Sequence, residues 1–177
     1  NIRDTNFANL ALNKDVVEAA TRDITTTIAA IRSESRLNEL LQLKGPLNPQ
    51  LMLKIGRSHL ESLLVSADNP YLVDIVVYLK DIETILTTRD VFFSTSLFYR
   101  SFFSEADTPY DDWHAELSYP QYVRRSPTFK RISYYGESYD VIELQEPLPV
   151  TPRLLSRGTL IAYVNRDAVE SLMRKRL

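Results

Sequence analysis

The chain has 177 residues, 44% of them hydrophobic and 25% charged, which is enough for one domain with a real core and ordinary for a globular protein. A formal net charge of −2 at pH 7 gives no support for a broadly basic nucleic-acid surface or an acidic tail. The absence of cysteine excludes disulfides, thiolate metal sites and cysteine nucleophiles, and no window approaches the ~18 apolar residues of a membrane-spanning helix.

Residues 1–43 read as one long helix or two nearly continuous ones. Phe7, Leu10, Ala11, Val16, Val17, Ala20, Ile24, Ile28 and Ile31 recur at intervals near three and four, and Leu37, Leu40 and Leu41 extend the pattern. Thr25, Thr26 and Thr27 are poor helix formers, so packing must hold the middle. Such a helix either pairs with a partner or reaches beyond the domain; the alternative is two ordinary core helices with a kink near Arg32–Arg36. Gly45-Pro46 and Pro49 break the pattern, and a second helix is expected from Gln50 to Ser66, with Met52, Ile55, His59, Leu60, Leu63 and Leu64 as its stripe. Asp68-Asn69-Pro70 ends it.

The sheet is expected to begin at Tyr71. Val73, Ile75, Val77 and Leu79 alternate with Leu72, Asp74, Val76 and Tyr78, which is the period of a strand. A turn at Lys80-Asp81 leads to a second β-rich run at 83–88. Ser94-Thr95-Ser96 can cap a short helix through Phe103, rich in aromatics. Residues 104–128 look irregular, with a short helix around Trp113. Strands at 129–135 and 139–144 flank a Gly136-Glu137-Ser138 turn, Pro147, Pro149 and Pro152 form a rigid excursion, a last strand covers 158–164, and a terminal helix starts at Asp167. The expected architecture is α+β: about five antiparallel strands with a long N-terminal helix packed against them. A helical region, 1–67, and a sheet and cleft region, 68–177, belong to one domain.

Motifs for chemistry are sparse. Four glycines make no phosphate loop or dinucleotide fingerprint. His59 falls on an apolar helix face and reads as a core or boundary residue. His114 sits in DDWHAE with Asp111, Asp112 and Glu116, where a cation bound through oxygen, proton transfer or a plain solvated acidic loop would all fit. Arg124, Arg125, Lys130 and Arg131 lie among aromatics, but acidic neighbours argue against a nucleic-acid platform. No catalytic, cofactor-binding or metal-binding residue is assigned, and the expectation is a binding domain rather than an enzyme.

All ten tyrosines lie from Tyr71 onward, where their apolar bodies and polar tips suit pocket walls or, equally, a sheet surface. Tyr78, Tyr99, Arg100, Trp113, Tyr119 and Tyr134 are the candidate ligand-binding residues. Aromatic walls would hold an apolar or sugar-like body and Arg100 would grip a carboxylate. The alternative for Tyr78 and Trp113 is hydrophobic core; for Arg100 it is a pair with Glu105 or Asp107.

Asn69-Pro70-Tyr71, DIVVYLKDIETILTT at 74–88, FYRSFF at 98–103, Trp113 of DDW, and GTLIAYVNRDAVESL at 158–172 together carry a resemblance. The chain resembles the extracellular Cache-type sensor domain of Gram-positive membrane-bound regulators, the AraC-type transcriptional regulators and related sensor histidine kinases. The resemblance implies a PAS-like sheet with a long helix along it, and a ligand cleft between the sheet and the loop-and-helix layer after the second strand. It also implies a segment on the outer side of the cell membrane, anchored by flanking helices. A chain that begins at Asn1 suits such a piece. The function implied is signal sensing: a small carboxylate, amino acid or sugar binds, and a helix shift carries the signal through the membrane. The alternative is a protein-interaction or structural domain without a small-molecule ligand. Tyr99, Arg100, Trp113 and Tyr119 lack the compact spacing of the Tyr, Arg, Trp, Tyr and Asp contacts in double-Cache amino-acid sensors. A surplus stripe of Phe7, Leu10, Val17, Ile24 and Ile31 suggests a homodimer through the N-terminal helix.

Overall fold

In the computed structural model, residues 2–58, 60–119, 126–149 and 156–174 are described. The chain opens with α1 (Ile2–Arg32), which stops where the alternative reading puts a kink. Glu34 is extended, and α2 (Ser35–Leu41) restarts the helix. Thr26 and Thr27 bond back to the carbonyls of Arg22 and Asp23 at 3.0 and 3.1 Å, so their hydroxyls are satisfied within the helix. Asn48 caps α3 (Pro49–Arg57) by accepting from the Leu51 amide at 2.8 Å, with Pro49 in the first turn where its missing N–H is harmless.

The expected second helix is two helices. It breaks at Ser58, whose φ/ψ of −85°/90° is not helical, and resumes as α4 (Glu61–Ser66). His59, read as part of its stripe, lies outside the described residues.

The sheet has seven antiparallel strands curled into a half-barrel, not five. The strands are β1 (Leu72–Leu79), β2 (Thr84–Leu86), β3 (Val91–Phe92), β4 (Phe103–Glu105), β5 (Thr128–Tyr134), β6 (Glu137–Leu148) and β7 (Gly158–Asn165). Their spatial order is β3-β2-β1-β7-β6-β5-β4. The two unforeseen strands are the edges, and two or three residues are too short to show a period. The 83–88 run is also shorter than expected. Lys80–Ile82 forms a 3-10 turn and Glu83 takes a left-handed φ of 48° before β2 begins.

The β5–β6 turn is tighter than expected. Tyr135 and Gly136, with φ of 49° and 82°, make a two-residue hairpin loop, and Tyr134 pairs with Glu137. The proline excursion starts later too. Pro147 lies inside β6, where β5 no longer flanks it, so its missing N–H breaks no ladder. Helices α5 (Thr95–Ser101), α6 (Tyr110–Ser118) and α7 (Arg166–Arg174) complete the fold.

Two cores form on the two faces of the sheet. On one, Ile24, Ile28 and Ile31 of α1, Leu37, Leu40 and Leu41 of α2, and Ile55 and Leu63 meet Ile75, Val77, Leu79, Leu144, Leu160, Ala162 and Val164. Each fully buried large aliphatic side chain contributes about 1.5–3 kcal/mol. Ile24 and Ile31 are therefore covered within this chain, at 0% exposure, and do not belong to a surplus stripe. The side chains of Phe7, Leu10 and Val17 lie outside what is described. On the same side α7 packs beside α1, and β7 runs into α7 without a loop.

Candidate functional site

The opposite face lies beneath α5, β4 and α6 and is aromatic. Phe98 stacks on Phe103 at 5.3 Å, Tyr99 lies 4.8 Å from Trp113, and Phe103 lies 5.2 Å from Tyr163. Four of the six residues picked from the sequence meet here. Tyr78, Tyr99, Trp113 and Tyr134 are all buried in this one cluster with Val76, Ile85, Leu117, Ile132, Val141 and Ile161. They fill the layer between sheet and helices. Arg100 and Tyr119 do not join them. Arg100 is exposed on α5 with its guanidinium 5.5 Å from the Tyr110 ring, and Tyr119 is 65% exposed at the end of α6.

The polar tips of the buried tyrosines are anchored. The Tyr134 hydroxyl donates to Asp74 Oδ2, while Asp74 Oδ1 accepts from the Ile75 amide at 2.7 Å and the Thr88 amide at 3.3 Å. Burial raises the Asp74 pKa, against the pull of those hydrogen bonds. Tyr78 donates to Glu83 Oε1 at 2.7 Å, and Glu83 Oε2 lies 2.9 Å from His114 Nε2. The imidazole of DDWHAE is thus engaged by a carboxylate from another segment. Asp111 and Asp112 stay exposed at the start of α6. Among the described residues, no group of three or more histidine or acidic side chains could hold a metal ion. Tyr99 accepts from the Glu105 amide at 3.2 Å and donates to the Thr108 carbonyl, tying α5 to the β4–α6 loop.

The most highly charged spot on this face was not foreseen. Lys130 of β5 extends its ammonium to Glu105 Oε1 at 3.0 Å, Glu143 Oε2 at 3.1 Å and Glu116 Oε1 at 3.9 Å. Glu105 and Glu143 are buried. The hairpin register explains the meeting: Lys130 pairs with Val141, which places it on the same face as Glu143, and Glu105 pairs with Ile132 one step along. Among the described residues, one ammonium thus lies between two buried carboxylates, with Glu116 at the more exposed rim. Burial first and the neighbouring Glu143 second push the Glu105 carboxyl up to about 7, with Lys130 pulling the other way. Burial works against the Lys130 charge, but Glu143 and Glu105 outweigh it and the ammonium's pKa rises.

A family model for known proteins does not match this chain, and no match is found among curated proteins.

A cleft of about 380 Å³ opens from solvent onto this cluster, lined by Glu105, Ala106, Thr108, Glu116, Phe129, Lys130 and Arg131. Its charged lining is mixed, two carboxylates and two cations, while the 70% exposed Phe129 ring turns to the other face of β5, against Arg166 of α7. Arg131 also pairs with Asp140 at 3.7 Å, so both described basic residues of the segment once compared with a nucleic-acid platform are engaged by acids. Arg124 and Arg125 lie outside the described residues. A signal for the cluster was present in the sequence. In DVIELQEPL, alternation places Glu143 with Val141 and Gln145 on an inward face, where a carboxylate needs a cation.

Proposed function

We propose that this domain is the signal-sensing module of a transmembrane regulator, held on the outer side of the cell membrane, and that it binds rather than catalyses. The observation that carries the reading is the position of β7. Ile161 and Tyr163 face the aromatic and charged side, Ala162 and Val164 face α1, and the strand continues directly into α7 beside α1. A displacement under α5 and α6 therefore has a short mechanical route to the paired first and last helices. In support of a Cache-type reading stands the layer order, with the N-terminal helix along one face and the α5–α6 layer after β3 on the other, although the sheet is a seven-stranded half-barrel and not an open PAS-like sheet of five.

The ligand class that best fits the cleft is a small molecule bearing both charges, an amino acid or a related aminocarboxylate. Lys130 answers its carboxylate, and Glu105 and Glu116 its ammonium. The aromatic packing between sheet and helices favours a second reading, a protein-interaction domain without a small-molecule ligand. A thermal-shift screen with amino acids, small carboxylates and sugars separates the two. At one hundred times its dissociation constant a ligand stabilises by about 2.7 kcal/mol, which raises the Tm by roughly 5–10 °C. A saturable rise with one class supports sensing. No shift with any class removes the small-molecule reading.

A further inference from the structure

We propose that Glu105, Lys130 and Glu143 form a proton-operated latch that holds β4 and its flanking helices against the sheet and releases them when Glu105 ionises. The proposal goes beyond ligand sensing and does not depend on it.

Among the described residues, charged and titratable groups reach Glu105 from several elements. Lys130 approaches from β5, Glu143 from β6 and Glu116 from α6. The Tyr99 phenol of α5 meets its amide, and the Tyr163 phenol of β7 lies within its electrostatic reach. Asp107 follows in the exposed turn, at a left-handed φ of 58°. Among the described residues, with Glu105 protonated the two buried acids carry one negative charge and Lys130 balances it, while Glu116 stays at the half-open rim. With Glu105 ionised, two buried carboxylates share one ammonium, and their repulsion is relieved when one of them moves toward water.

Glu105 is the one placed to move. Glu143 lies in the long central strand β6, paired on both sides. Glu105 lies in a three-residue edge strand with a partner on one side only. Beyond its three register pairs, β4 is closed by the bonds from Ala106 N to Arg131 O at 2.9 Å and from Tyr135 N to Phe102 O at 2.8 Å. Release of β4 draws Phe103 away from Tyr134 and Tyr163 and opens the aromatic layer beneath Trp113.

Trp113 is the single tryptophan and packs 5.7 Å from Phe103, so it reports the latch directly. Its emission is titrated between about pH 5.5 and pH 8.5 in the isolated chain, and amide exchange, corrected for the intrinsic rate, is measured at both ends. The expected result is a red shift of Trp113 with a midpoint at or below about 7, levelling off above it. Protection of the Glu105 and Ala106 amides should fall about tenfold or more, at most tenfold per pH unit because one proton is linked, while β7 amides hold. Glu105→Gln, which imitates the protonated acid, should abolish both responses, and His114→Gln should keep them. Emission and β4 protection that stay constant across the range overturn the latch. So does a transition that survives in Glu105→Gln, or one that disappears in His114→Gln. If the Glu105→Gln chain fails to fold, the His114→Gln chain and the wild-type exchange at β4 still decide the matter.

Discussion

Gly158→Ala tests whether the close approach of β7 to β1 is real. Gly158 opens β7 opposite Leu79, and a Cβ there would lie 2.4 Å from the Tyr78 carbonyl oxygen and 2.8 Å from Leu41 Cδ2. Ordinary contact begins near 3.4 Å, so β1 would have to retreat by about 1 Å. The leucine tip can swing, but the carbonyl cannot move without its strand. The retreat strains the Lys80 N–H to Arg157 O bond, now 3.0 Å, and lifts α2 from the sheet. Overpacking costs about 1–3 kcal/mol and the weakened hydrogen bond about 1 kcal/mol more. At ~2–4 °C per kcal/mol for a chain of this size, the Tm should fall by roughly 4–16 °C. Gly56→Ala is the control: nothing lies within 4 Å of a Cβ at that exposed position in α3. It should gain up to about 1 kcal/mol from helix propensity and melt a few degrees higher. Thermal melts followed by circular dichroism read both. A Gly158→Ala chain melting within about 2 °C of wild type, or a Gly56→Ala chain that loses as much as it, would refute the reasoning.

Asn48→Ala removes the cap of α3 and should cost about 1 kcal/mol in urea unfolding, with an unchanged slope. Tyr134→Phe deletes the hydroxyl that donates to the buried Asp74; it should cost about 1–3 kcal/mol, read by the same unfolding curves, and move the Asp74 pKa higher still, read by carboxyl NMR titration. The Glu105 carboxyl sits at 4.5 ordinarily and about 7 in the fold, so the folded state binds more protons between those values. Its contribution to stability is complete below about pH 4.5 and is lost as pH rises through 7, up to about 3 kcal/mol in all. Unfolding free energies measured across that window should show this slope in wild type and a flatter one in Glu105→Gln.

The regular parts of the fold were legible because their residues carry a period. The apolar alternation of Val73–Leu79, the hairpin around Gly136 and the stripe Ile24, Ile28 and Ile31 each announce an element and its buried face. What went unread has no period. The strands Val91–Phe92 and Phe103–Glu105 are too short for one, and the break at Ser58 interrupts a stripe that runs on through Leu63. The candidate site divided along a different line. A tyrosine that walls a cavity and one that fills a core have the same surroundings in sequence, so Tyr78, Tyr99 and Trp113 could be grouped but not told apart from core. Glu105, Lys130 and Glu143 are brought together by strand pairing across 38 positions of chain, and pairing is not a local property.

The two rims of the sheet set a rule for recognition. A strand-adding partner needs a run of unpaired amides and carbonyls to zip against, and charged or truncated rims withhold it. Here the rims are β3, with two residues, and β4, with three, the latter ending in a carboxylate bound to Lys130. Among the described residues, β3 and β4 themselves offer almost no template for β-augmentation, and main-chain pairing would have to start on the stretch of β5 that β4 leaves uncovered, Thr128–Lys130. Three residues are a short run, so a partner that docks at this rim has to add side-chain contacts in the neighbouring cleft to whatever it gains from main-chain pairing.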